Sequence, residues 1–108
     1  MKKEKDGLWL EQAGEQIVLG LTKAKQEELG EVNFVSLPKV DDTITAGQPL
    51  VEVEAEKAVS EFKSPISGKV ASVNNAAITD PKVLNAEDPK ISWIVALTDV
   101  SNAEFEKL

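Results

Sequence analysis

Val51-Glu52-Val53-Glu54-Ala55-Glu56-Lys57-Ala58-Val59-Ser60-Glu61 is a pair of alternating segments that meet at a lysine. Val51 and Val53 fall on one face and Glu52 and Glu54 on the other, with Leu50 out of phase. That period of two is the mark of a half-buried strand. The strand resumes after Ala58 through Val59-Ser60-Glu61-Phe62-Lys63. A turn over Ala55-Glu56-Lys57-Ala58 puts Lys57 at its third position, the outermost point of the protein. Ala55 and Ala58 are small and leave the amine open to a visiting enzyme, while Glu54, Glu56 and Glu61 frame it with negative charge. A solvated ammonium in such a frame is a poor nucleophile, which counts against Schiff-base catalysis by a buried, activated lysine. It suits a lysine that a separate enzyme acylates. The competing reading is a charged tip that only keeps a sheet soluble.

Upstream, Leu8-Trp9-Leu10-Glu11, Gly14 and Gln16-Ile17-Val18-Leu19-Gly20 read as a hairpin closed by an irregular turn. Thr22 caps a short helix over residues 23–29, with Gly30 as its terminator. Two turns of helix do not survive alone, so this one is expected to pack on a sheet through Ala24 and Leu29 or close neighbours. Residues 32–37 form a strand stopped by Pro38. Residues 41–49 hold turn signals around a short β segment.

Downstream, Pro65-Ile66-Ser67-Gly68 is a turn and residues 69–74 a strand. Residues 75–90 read as a loop with a turn of helix at 80–84, and residues 91–97 as the last strand. Ser101-Asn102-Ala103-Glu104 is a capping-box pattern for a terminal helix through Phe105 and Leu108. Gly47 and Gly68 open arms of similar length on either side of Lys57, and two such halves would close into a small flattened barrel.

The 108 residues support one domain with one modest core. No apolar run is long enough for a membrane span. Asp6, Gly7 and Glu11 interrupt Leu8-Trp9-Leu10, so a secretory signal is not expected and the cytoplasm is the default compartment. A net charge of −7 argues against general nucleic-acid binding and favours partners with basic docking surfaces. With no Cys and no His there is no thiol nucleophile, imidazole base, Ser-His-Asp triad or soft metal site. An enzyme would need a carboxylate pair in a cleft, whereas Glu52 and Glu61 lie across an exposed hairpin. No catalytic or metal site is assigned.

Val53-Glu54-Ala55-Glu56-Lys57-Ala58-Val59-Ser60 followed by Ser64-Pro65-Ile66-Ser67-Gly68-Lys69-Val70 resembles the lipoyl attachment region of glycine cleavage system H proteins. Those read Val-Glu-Ser-Val-Lys-Ala, then Ser-Pro-Val-Ser-Gly and Val-x-x-Val-Asn. Gly20-Leu21-Thr22 stands where that family has Gly-Ile-Thr. The likeness runs on through residues 29–40, Asp80-Pro81, Leu84-Asn85 and Trp93, and so covers nearly the whole chain.

The resemblance implies an all-β-dominated lipoyl-domain fold, a barrel-sandwich hybrid of two antiparallel sheets with short peripheral helices. It implies a single carrier domain over residues 1–108, with lipoate amide-linked to Lys57. Glu54, Glu56, Ala58 and Glu61 would be read by a lipoate-protein ligase. The implied partners are glycine decarboxylase, the aminomethyltransferase and dihydrolipoamide dehydrogenase, none of them nucleic acid or membrane. Biotin carriers flank their lysine with methionines, and Met1 is the only methionine here. An unmodified β-barrel interaction module is the alternative from outside the carrier class.

The departures from the family are local. The chain lacks the family's His before the early Trp, replaces Ser-Val by Ala55-Glu56, and has lost both glycines and the tyrosine between residues 85 and 93. It thereby looks more like the divergent H-like proteins linked to a dedicated ligase, a macrodomain hydrolase and a sirtuin-type ADP-ribosyltransferase in oxidative stress. That likeness implies reversible ADP-ribosylation on an acidic residue of the early helix, Glu27 or Glu28. The alternative is the aminomethyl carrier of glycine cleavage.

Overall fold

The computed structural model describes residues 2–108; Met1 lies outside them. Two antiparallel sheets share one core. The larger has six strands in the order β1 (Lys2–Lys5), β2 (Leu8–Ala13), β3 (Gln16–Leu21), β9 (Trp93–Thr98), β8 (Gly68–Val73) and β5 (Thr43–Ile44). The smaller has three, in the order β4 (Val32–Ser36), β6 (Pro49–Ala55) and β7 (Val59–Lys63). Short helices fill the connections, α1 (Lys23–Leu29), α2 (Ala76–Thr79), a 3₁₀ turn over Pro81–Asn85 and α3 (Pro89–Ser92), and α4 (Asn102–Glu106) follows the last strand.

Alternation builds the core. Leu8 faces Leu21 and Leu10 faces Leu19 across β2 and β3, and Leu19 faces Val95 in β9; all are buried. The smaller sheet contributes Val35, Val51, Val53 and Phe62 from its inner face. Two irregularities break strict alternation. A register shift between Pro49 and Val51 lets Leu50 and Val51 both point inward, which accounts for Leu50 being out of phase. A second, between Val32 and Phe34, keeps Val32 and Val35 inside and turns Phe34 out to 52% exposure.

The expected flattened barrel does not form among the described residues. The arm opened by Gly68 runs in the larger sheet, paired with β5 and β9, whereas the arms on either side of Lys57 form the smaller one. The two halves are thus layered face to face, with open edges.

Other expectations also need correction. The β2–β3 connection is a tight two-residue turn, Gly14-Glu15, with Gly14 at φ 64°. Lys2–Lys5 adds an edge strand that has no apolar alternation to announce it. It pairs with β2, and Lys3 Nζ donates to the carbonyls of Glu106 and Leu108. A charged edge strand of this kind discourages further strand pairing.

Ala24 is exposed: α1 docks through Leu29 with Lys25 and Gln26 half-buried, the i, i+3, i+4 face that begins at the Thr22 cap. Residues 75–90 hold the expected helical turn, as the 3₁₀ turn Pro81–Asn85, and also α2 and the start of α3 where a loop is expected. The last strand starts at Trp93, because Asp88 caps α3 by accepting from Lys90 N–H, and Pro89 sits at its first position. No helix among the described residues is long and apolar enough to cross a membrane.

Gly20 is fixed by packing. A Cβ there would lie 2.5 Å from the Trp9 indole, which rests against the backbone with Trp9 only 7% exposed. Gly20→Ala is expected to displace the ring and cost about 1–3 kcal/mol. Urea unfolding followed by tryptophan fluorescence measures this; an unchanged midpoint would contradict the packing argument.

Candidate functional site

The β6–β7 hairpin ends in the turn expected from the sequence. Glu54 pairs with Val59, and Ala55 N–H donates to Ala58 O at 2.9 Å. That leaves the amides of Glu56 and Lys57 without partners inside the hairpin. The stretch between α1 and β4 supplies them: Glu56 N–H donates to Glu31 O at 2.8 Å and Lys57 N–H to Leu29 O at 2.9 Å. The tip is therefore tied along its main chain while the Lys57 side chain stays exposed.

The anchoring stretch is itself held from behind. Asn85 Nδ2 donates to Gly30 O at 2.8 Å, and Asn85 Oδ1 accepts from Val32 N–H at 2.8 Å. Gln26 Nε2 donates to the carbonyls of Leu84 and Ala86, at 2.8 and 3.0 Å, joining α1 to the same 3₁₀ turn. Gly30, at φ 77°, lets the chain turn sharply between α1 and β4, and a Cβ there would crowd Glu56 Oε1 at 2.9 Å. Gly30 N–H also closes the helix onto Gln26 O.

The tip also makes one contact that the sequence does not announce. The Lys57 ammonium is not free of its surroundings: Nζ donates to Glu27 O, a carbonyl in the last turn of α1, at 3.3 Å. Helix α1 has no basic residue in that turn, so Lys57 brings a cation to the negative end of the helix dipole. The contact is long and solvent-exposed, so the amine is easily lifted away.

The expected site residues separate into groups. Glu54, Glu56 and Ala58 lie at the tip or on its first rung, all exposed. Glu61 pairs with Glu52, three residues along β6 from Ala55 and so about 10 Å from the turn; it flanks the hairpin shaft rather than the amine. Glu27 and Glu28 are exposed on α1, where Glu28 pairs with Lys25 at 3.0 Å. Glu27 reaches the site through its carbonyl. The sequence reading gave no role to Asn85 or Gln26. In the sequence Asn85 stands only as part of the Leu84-Asn85 pair, and nothing local reveals that its amide spans to Gly30 and Val32.

A cleft of about 430 Å³ lies elsewhere, between Trp9 and Trp93 on the outer face of the larger sheet, with Asp88, Pro89 and Lys90 at its rim. It does not include Lys57. Asp88, Pro89, Lys90 and Trp93 thus help to shape this cleft.

Asn85→Ala removes both bonds that brace the anchoring stretch and is expected to cost about 1–3 kcal/mol. Hydrogen exchange should quicken at the Glu56 and Lys57 amides in that variant. Unchanged exchange there would mean that the tip does not depend on Asn85.

Comparison with known proteins agrees along the chain. The family profile described as "Glycine cleavage H-protein" matches residues 1–108. A glycine cleavage system H protein of Bacillus cytotoxicus is 39% identical over 100 residues, 93% of this chain and 79% of that protein. Glycine cleavage system H protein 1 of Caldanaerobacter subterraneus is 38% identical over 104 residues, 96% of this chain and 82% of that one. Among solved structures, a glycine cleavage system H protein from Mycobacterium marinum superposes with a TM-score of 0.80 at 28% identity, covering 98% of this chain and 93% of its own. The layered sheets are accordingly the H-protein lipoyl-domain fold, and the chain belongs to the glycine cleavage H-protein family.

Proposed function

We infer that this chain is a lipoyl carrier that works in glycine cleavage, with lipoate joined through an amide to Lys57 Nζ. The observation that carries this reading is a lysine with its main chain tied and its amine accessible, at the hairpin tip of a chain matched end to end by the family. The residues fit the group. The arm needs a primary amine that an enzyme can reach, on a root that does not move, and the bonds to Leu29 O and Glu31 O provide such a root.

A lipoyl group held on Lys57 Nζ would supply a disulfide that can be reduced as one of its sulfurs takes the aminomethyl group from glycine decarboxylase for the aminomethyltransferase, with dihydrolipoamide dehydrogenase as the oxidant of the resulting dithiol. The chain's own contribution is positional. Tethering the arm makes each encounter intramolecular within a docked complex, which raises its effective concentration at the partner's active site. Glu54 and Glu56 mark the tip for the attaching ligase, with Ala58 leaving the lysine unshielded and Glu61 adding charge further down the hairpin.

The names of the relatives support the aminomethyl carrier over the ADP-ribosylation-linked relay suggested by the divergent matches. Glu27 and Glu28 remain the acceptor candidates of that relay, and exposure is all that favours them.

Coexpression with a lipoate-protein ligase and lipoate is expected to add one lipoyl mass to the intact protein, and Lys57→Arg to abolish it. Mass that persists in Lys57→Arg would reject the attachment site. Lipoylated protein incubated with glycine decarboxylase, its pyridoxal phosphate cofactor and labelled glycine is expected to take up label. Failure to do so, with a family H protein as positive control, would return the choice to the relay.

A further inference from the structure

The outer face of the smaller sheet carries an apolar pair where alternation alone would not put one. Phe34, Glu54 and Val59 share a rung across β4, β6 and β7, and all three point to solvent. Phe34 is 52% exposed and Val59 65%, so two large apolar side chains flank one carboxylate immediately below the Lys57 turn. The next rung on the same face is Ser36, Glu52 and Glu61, also exposed. Among the described residues, none of the three carboxylates is in an ion pair. Glu52 and Glu61 face each other directly, a like-charge arrangement that disfavours the isolated sheet.

Neither feature helps the fold. Phe34 is outside only because of the register shift after Val32; without it, the ring would point into the core. Two exposed apolar side chains beside the Lys57 turn, bordered by carboxylates, have the make-up of a small contact surface.

We propose that this face is the docking surface for the enzyme that acylates Lys57, an enzyme presenting an apolar contact bordered by basic side chains. The proposal rests on the carrier reading above and adds the surface and its occupant. Geometry favours the acylating enzyme over those that later use the arm. To reach the bare amine it must bring its reactive carbonyl to Nζ itself, so its footprint has to cover the turn and whatever adjoins it. Enzymes that meet the finished arm can act at a distance from the hairpin. On one side of the turn lie the Leu29 and Glu31 carbonyls, already used by the tip. The Phe34–Glu54–Val59 rung adjoins the turn and is unused. Docking there would bury both apolar groups and place basic side chains opposite Glu52 and Glu61, relieving their repulsion.

The test uses the full chain, a purified lipoate-protein ligase, lipoate and ATP, with initial acylation rates read by intact mass. Phe34→Ser and Val59→Ser are each expected to raise the KM for the carrier about tenfold with kcat nearly unchanged, as loss of uniform binding requires. Glu52→Gln/Glu61→Gln is expected to raise KM and flatten its dependence on salt. Ile91→Ser, an exposed apolar site on α3 beside the larger sheet, is the control and should load as wild type. Thermal unfolding verifies that each variant is folded, and Val59→Ser serves if Phe34→Ser is not. Wild-type kinetics in the folded rung variants, or equal impairment in Ile91→Ser, would overturn the docking surface and leave the carrier reading intact. A wild-type chain that gains no mass, or a gain retained in Lys57→Arg, would overturn the carrier reading and the surface with it.

Discussion

The main-chain bonds from Glu56 and Lys57 to the carbonyls of Glu31 and Leu29 are the constraint around which the site is arranged. A hairpin tip normally leaves such amides to water and moves freely. Here the end of α1 and the start of β4 satisfy them, so the tip moves only if that stretch moves. The stretch is held in turn by Asn85, and α1 by Gln26. Two side-chain amides thus transmit the position of a peripheral 3₁₀ turn to a lysine some thirty residues away in sequence. Each bond is individually modest, about 1 kcal/mol. Their effect is cooperative because they act in series on one short segment.

The architecture around that constraint divides labour between the two sheets. The larger carries most of the core through paired leucines and β9. The smaller is thinner and presents one whole face to solvent. Stability and recognition can therefore vary separately: the cleft beside Trp93 lies on one sheet and the lysine hairpin on the other. The hairpin and the cleft are thus two separate surfaces of one fold.

Much of this was legible in the sequence. The alternation through residues 50–63 fixes β6, β7 and the turn, and the Thr22 and Ser101 caps locate α1 and α4. The misses share a physical origin. Lys2–Lys5 is a strand because a neighbour offers an edge, not because its residues prefer one. Ile91 leaves the last strand because Asp88 and Pro89 begin a helical turn, a local signal that outweighs the apolar run. Phe34 faces outward because a bulge resets the phase, and a bulge has no signature in residues 32–36. Most consequential, the role of Asn85 depends on where Gly30 and Val32 lie in space, which no local pattern encodes.

The contact between the Lys57 ammonium and the last turn of α1 carries a consequence for any acylation at Nζ. Any acyl group joined to Nζ turns the cation into a neutral amide and adds one negative unit to a chain already at −7. The helix then ends with Glu27 and Glu28 at the negative pole of its dipole, and only Lys25, on the preceding turn, to offset them. Acylation at Nζ would thus take away the positive charge that lies against the helix end in the unmodified chain, and leave at most a neutral N–H to meet the Glu27 carbonyl.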